Sequence, residues 1–187
     1  MTRRALPALL PLAPLLVAGA PTGAFAADYL SIEQAQKVLF PQADHFEPRA
    51  LSLTAAQLQA VESRHGVKPR STRWRVWQAS AAGKPLGWVV VDDVIGKFEL
   101  ITYAVAVGAD GTLQQVEILS YRESHGAEVR LPAWRKQFVG KTVAAPLQVG
   151  QDINNISGAT LSCTHVTDGV KRIVSVLDFA RQTGLLT

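Results

Sequence analysis

Cysteine is nearly absent: Cys163 is the only one in 187 residues. That excludes an intramolecular disulfide framework and any zinc site built on cysteines. Charge is sparse as well, at 18% of residues with a formal net charge of +4, so the chain lacks the basic density of a nucleic-acid binder. Disorder is excluded from the other side, because 48% of the residues are hydrophobic. Beyond residue 26 no apolar run approaches the roughly 20 residues needed to cross a bilayer. Internal repeats and low-complexity tracts are also missing. What these absences leave is one domain of ordinary size with a core of its own.

The first 26 residues read as a secretory signal peptide. Arg3 and Arg4 precede an apolar stretch, Ala5 to Ala20, and Ala24-Phe25-Ala26 supplies a small-x-small cleavage signature. An uncleaved anchor is the competing reading, and Pro7, Pro11 and Pro14 make the stretch a poor permanent membrane helix. Cleavage after Ala26 leaves 161 residues and removes Arg3 and Arg4, so the mature chain carries a net charge of +2. The expected location is the periplasm.

Two short helices open the mature chain. Ser31 with Gln34 forms a capping-box pattern for a helix through Leu39, ended by Pro41. Thr54 caps a second helix, Ala55 to Arg64, closed by Gly66. Residues 27–70 are therefore expected as an N-terminal helical segment, with the main domain over 71–187. Strand signals follow. Trp74, Val76 and Gln78 alternate against Arg73, Arg75 and Trp77, and Trp88 to Val94 is a second strand. Ile101, Tyr103, Val105 and Val107 share one face of a third, with Thr102, Ala104 and Ala106 on the other. Asp110-Gly111 marks a hairpin, and the returning strand carries Val116 and Ile118 on one face, with Leu113, Glu117 and Leu119 less regular. The period then changes to three and four. Cys163, Val166, Val170, Ile173, Leu177 and Ala180 define one apolar stripe of a long helix that starts near Thr160 and stops at Gly184. Asp168, Lys171, Arg172, Ser175 and Gln182 are expected away from that stripe. The fold class is α+β: an antiparallel meander with helices packed on one face and a long C-terminal amphipathic helix.

The informative segment is Ser157-Gly158-Ala159-Thr160-Leu161-Ser162, where the chain enters that last helix. Helix N-termini offer unpaired N–H groups and a partial positive charge, which suit a phosphate. Gly158 and Ala159 leave little bulk around the Thr160 hydroxyl. Local physics alone favours a plainer reading, in which Ser157 or Thr160 simply caps the helix.

The motif SGAT followed by Leu-Ser resembles the flavinylation motif of the FMN-binding domain family. That family includes the G subunit of the Rnf complex and the C subunit of the sodium-translocating NADH:quinone reductase. Glu123-Ser124-His125-Gly126, followed by Trp134, Gln137-Phe138 and Gly140-Lys141, resembles the family's Glu-Thr-Pro-Gly loop and its trailing segment. Asn154 stands where the family pattern usually carries an acidic residue. The resemblance spans roughly Lys97 to Leu177. It implies FMN as cofactor, held as a phosphodiester on Thr160 by a flavin transferase that uses FAD. Ser157, Gly158, Ala159, Leu161 and Ser162 would surround the phosphate, and Glu123 and Gly126 the flavin. Lys97, Glu99 and Tyr103 are weaker candidates on the strand before the hairpin.

Other candidates weigh less. Cys163 sits on the apolar stripe and reads as a packing residue rather than a reactive thiol. His125 with Glu123 and Glu128 lacks the spacing of a metal site, and no structural metal is expected. Arg73-Trp74-Arg75-Val76-Trp77 mixes basic and aromatic residues, but a strand with one solvated face accounts for it without nucleic acid. No catalytic acid–base pair is evident. The expected function is an FMN-bearing electron carrier that serves a membrane-bound donor or acceptor. A flavin-dependent reductase of a small acceptor such as a ferric chelate, and a flavinless adaptor or sensor, are the alternatives. N-terminal sequencing of protein recovered from a bacterial periplasm should begin at Ala27; a chain still starting at Met1 contradicts the signal-peptide reading.

Overall fold

The computed structural model describes residues 27–186; the proposed signal peptide lies outside the described residues. Six strands form one antiparallel sheet: β1 (Ala27–Asp28), β2 (His45–Ser52), β3 (Arg73–Ala81), β4 (Lys84–Ile95), β5 (Leu100–Gly108) and β6 (Leu113–Tyr121). Their order across the sheet is β1-β6-β5-β4-β3-β2. The helices are α1 (Ile32–Leu39), α2 (Ala55–His65), the short α3 (Pro132–Arg135) and α4 (Thr160–Gln182), with two 3₁₀ turns flanking α3. No helix among the described residues is long and apolar enough to cross a membrane.

Both early helices start as the sequence predicts. Ser31 and Thr54 each accept from the third residue of their helix, and Gln34 and Gln57 return the bond to the cap backbone. Gly66 ends α2 in the left-handed conformation. The stretch 27–70 nevertheless holds more than helices, because β1 and β2 occur in it and form the two sheet edges. The signal for β2 is weak for a physical reason. An edge strand tolerates Pro48 and exposes most of its side chains, so it carries little apolar alternation.

Two cores lie on the two faces of the sheet. On one, Tyr103, Val105, Val116 and Ile118 meet the α4 stripe, and Val61 of α2 joins them. On the other, Ala35 and Leu39 of α1 cover Val89, Val91, Ala104 and Ala106. The expectation of helices on one face therefore holds for α2 and α4, whereas α1 packs on the opposite face. Small side chains at Ala104 and Ala106 admit it. Because β4 is covered on both sides, Trp88, Val89, Val90 and Val91 are all buried, which explains an apolar run without alternation. The irregular β6 has its own cause. The register against β5 slips between Gln115 and Leu113 and again between Ser120 and Ile118. The two slips are bulges that restore Leu113 and Tyr121 to the α4 face, while Leu119 takes the other by ordinary alternation with Ile118.

All six stripe residues of α4 are at most 1% exposed. Each buried aliphatic side chain contributes about 1.5–3 kcal/mol, so the stripe anchors the helix to the sheet. Arg172 and Ser175, expected away from the stripe, are buried as well. The helix lies so close to the sheet that its flanks are covered too. The closest approach is at Gly169, where an added Cβ would come within 2.8 Å of Tyr103 Cζ and 3.1 Å of Val94 Cγ1. In an exposed helix Gly→Ala stabilises by about 1 kcal/mol. Here Gly169→Ala should instead destabilise by about 1–3 kcal/mol through overpacking, read as a lowered midpoint in thermal or urea unfolding; a stabilised variant contradicts the tight seating of α4.

Candidate functional site at the start of α4

Three segments converge at the N-terminus of α4: the turn 96–99 between β4 and β5, the loop 122–126 after β6, and the loop 154–159. The Glu123 carboxylate joins the first two. Its Oε1 accepts from the backbone N–H groups of Lys97, Phe98 (2.5 Å) and Glu99 (2.8 Å). Partial burial pushes the Glu123 pKa up, but these three donors and the Lys97 charge outweigh it and hold the carboxyl below its ordinary value.

Tyr121 ties loop 122–126 to the helix. Its hydroxyl donates to the carbonyl of His125 and shares a 2.9 Å bond with Ser162 Oγ. Gly126 has φ 92°, and a Cβ there would meet Tyr121 Oη at 2.6 Å and Ala159 Cβ at 3.1 Å. The loop therefore reaches the helix only because residue 126 lacks a side chain. From the third side, His165 Nδ1 lies 2.5 Å from the Ile95 carbonyl and 3.0 Å from that of Gly96. Two carbonyl acceptors require the proton on Nδ1.

The loop before α4 is held by the Trp134-to-Lys141 segment. Trp134 Nε1 donates to the Asn154 carbonyl at 2.8 Å, and the Asn154 N–H donates to Gln137 Oε1 at 2.7 Å. Phe138 packs edge-on against Trp134. Lys141 Nζ sits 2.9 Å from Asp152, whose carboxylate accepts from the N–H groups of Leu147 and Gln148. Trp134, Gln137 and Lys141 thus shape the approach to Thr160 rather than line the cleft.

The helix start itself is bare. Ala159 is the N-cap and makes no side-chain capping bond, so neither Ser157 nor Thr160 caps α4. Cys163 N–H to the Ala159 carbonyl, at 2.9 Å, is the first bond of the helix. The preceding N–H groups of the first turn have no intrahelical acceptor, and the positive end of the helix dipole points out with them. Thr160 is exposed, and its Oγ1 accepts from Asn155 Nδ2 at 3.0 Å.

Around Thr160 lies a cleft of about 330 Å³. Lys97 and Phe98 form one wall, Ser124 and His125 another, and residues 158–162 the third. A second cleft, of about 440 Å³, adjoins it across Ser124, His125 and Gly158, and includes Gly126 and Ser157. Phe98 and Leu161 are 75% and 46% exposed at the rim, an apolar surface that a planar ring would cover. All eight residues singled out from the motifs thus lie on the two clefts, Leu161 among them. Glu123 lines the first cleft, but with its carboxylate taken up by backbone. Ser162 and Ala159 line it from buried positions, and the Ser162 hydroxyl is already engaged by Tyr121. Gly126 and Ser157 line the second cleft only.

Tyr103 departs from expectation. It is fully buried beneath α4 with its hydroxyl 3.1 Å from Asp92 Oδ2, and lines neither cleft. Cys163 is buried in the large core, and burial pushes its thiol pKa up, which keeps it protonated. Tyr121, Asn155 and His165 escaped the sequence reading. Tyr121 lies across a bulge, Asn155 acts only on its neighbour Thr160, and the His165 partners are carbonyls about 70 residues away. Among the described residues no three His, Cys, Asp or Glu side chains come together as a metal site.

Residues 96–175 match the family model of the FMN-binding domain, so this stretch is an FMN-binding domain and FMN is its cofactor. The crystal structure of NqrC from Shewanella oneidensis is similar, with a TM-score of 0.51 at 19% identity over 84% of this chain and 79% of that one. At that identity the likeness is one of fold. Its span exceeds 96–175, so part of the N-terminal half shares the architecture. No curated protein matches the chain in sequence. The residues present fit FMN: a bare helix N-terminus for the phosphate, an exposed hydroxyl beside it, and apolar groups for the ring.

Replacing Glu123 by Gln should cost about 1–2 kcal/mol, since charge-assisted bonds to three N–H groups are weakened at a partly exposed site. Because the folded pKa is depressed, this stability is complete above the ordinary carboxylate range and is lost as pH falls through the folded value. The unfolding midpoints of wild type and Glu123→Gln should therefore differ at neutral pH and converge in acid. A gap independent of pH contradicts the assignment.

Proposed function

We propose that the protein is an exported electron carrier with FMN attached covalently at Thr160. The observation that carries this reading is the exposed Thr160 hydroxyl at an uncapped helix N-terminus. Asn155 donates to Oγ1, which leaves the hydroxyl hydrogen directed elsewhere. In the proposed attachment, Oγ1 attacks the flavin-side phosphorus of FAD, the pyrophosphate bond breaks, AMP leaves, and the hydroxyl proton passes to solvent or a base of the transferase. The resulting phosphodiester keeps one negative charge, which the α4 N-terminus stabilises by about 0.3–1 kcal/mol. When bound, the flavin supplies the electron-transfer chemistry.

The chain's own residues do the rest. N–H groups of the first α4 turn hold the phosphate, and Gly158 leaves it room. Phe98 and Leu161 shield the ring from water, and Lys97 sits with its ammonium 4.9 Å from the Phe98 ring centre, a positive charge on the cleft wall. Arg3, Arg4 and the Ala24-Phe25-Ala26 signature support export. A covalent tether suits an exported protein, since flavin lost to dilution is not replaced there. The partners are the FAD-dependent transferase and a membrane-bound donor or acceptor.

Protein coproduced with a flavin transferase and exported should gain roughly 438 Da, one FMN less a water. Thr160→Ala should abolish the gain. An unchanged wild-type mass contradicts covalent attachment, and an adduct that survives Thr160→Ala contradicts the residue.

A further inference from the structure

A third cleft, of a different kind, lies two to three turns further along α4. It measures about 600 Å³, within the range of small-molecule sites, and is formed by the joint after α2 and the middle of α4. Lys68 and Arg70 line it from the joint, and Asp168, Lys171 and Arg172 from the helix. Four cations face one carboxylate. None of these five side chains forms an ion pair or hydrogen bond among the described residues. Other partly buried cations of the chain are paired, as Arg135 with Glu117 and Lys141 with Asp152, whereas unpaired ones such as Lys84 stand exposed.

Arg172 is the telling residue. It is only 8% exposed, and what remains accessible lines this cleft. A guanidinium does not neutralise on burial, so it keeps a desolvated charge with no acid within ion-pair distance among the described residues. The Tyr103 phenol, bonded to Asp92, lies within electrostatic reach of Arg172 but does not bond to it. The planar fork of donors matches a carboxylate or phosphate. Lys68, Arg70 and Lys171 add charge around it, more than a single negative charge would satisfy.

We infer that this cleft binds a small oxyanion carrying two or more negative charges, with Arg172 as its bidentate anchor. A recessed guanidinium favours a small anion over the flat acidic face of a protein. The site is also connected. A groove of about 400 Å³ lined by Thr160, Thr164, Asp168 and Lys171 shares the last two with it. Those four residues recur at helical spacing on one face of α4. An anion bound here sits at the end of a groove that begins at Thr160. The cleft shares no lining residue with the one around Thr160, so the inference stands without the flavin reading.

Calorimetric titration of the flavin-free protein, in chloride buffer at physiological ionic strength, tests it with citrate and pyrophosphate as separate probes. At least one should bind saturably with one site per chain, and which one does distinguishes a carboxylate from a phosphate ligand. Arg172→Gln should weaken that binding by about tenfold or more. The exposed pair Lys68→Gln with Arg70→Gln should weaken it as well, and serves if the Arg172 variant does not fold. Lys84→Gln, an exposed cation on β4, should leave it unchanged. No saturable binding of either anion, equal losses at Lys84, or retention in both cleft variants overturns the inference. So does a chain that binds only an acidic protein.

Discussion

The burial of α4 against β4, β5 and β6 is the constraint from which the rest of the site follows. Its stripe from Cys163 to Ala180 is almost wholly withdrawn from water, and Gly169 brings the helix axis down onto Tyr103 and Val94. A helix seated that tightly has little freedom to slide or roll. Its N-terminus is consequently delivered to a fixed point beside the ends of β4 and β6, and the loops that meet there are built around it. Glu123 holds the turn 96–99, Tyr121 and Ser162 hold the loop after β6, and His165 bonds back to the carbonyls of Ile95 and Gly96.

These fastenings share one property: each is made without using the backbone N–H groups of the first α4 turn. The Glu123 carboxylate is engaged by three backbone donors of the turn 96–99. Ser162 is tied to Tyr121, and Asn155 orients Thr160 through its oxygen. The helix N-terminus remains uncapped, although both Ser157 and Thr160 stand close enough in sequence to cap it. A helix of 23 residues whose stability comes from a buried stripe tolerates that omission, where a short surface helix would not. Leaving the cap out keeps the anion-binding end of the helix open.

Much of this was legible in the sequence where the signal is local or periodic. Capping boxes at Ser31 and Thr54, the hairpin at Asp110-Gly111, the two faces of β5 and the α4 stripe all rest on spacing, and the structure has them. The SGAT segment and the loop from Glu123 to Gly126 carried their meaning through the family resemblance, and the structure brings them together around Thr160. What spacing does not carry is pairing at a distance. β2 was hidden because an edge strand needs no alternation, and the bulges of β6 break the period from which its faces are read. α1 on the opposite face depends on small residues of β5 that look unremarkable in isolation. Tyr121, Asn155 and His165 bond to backbone or to a neighbour, and Arg172 is buried on the flank of a helix whose charges all read as solvated.

Hydrogen–deuterium exchange on the flavin-loaded and flavin-free protein tests the central claim most directly, because it reports where the cofactor rests rather than whether it is attached. Protection on loading should concentrate in three peptides: the turn 96–99, the loop 122–126, and the first turn of α4 from Thr160 to Ser162. Protection that falls elsewhere, for example over β2 or the 66–70 joint, or that spares the start of α4, would contradict a site built on that helix end.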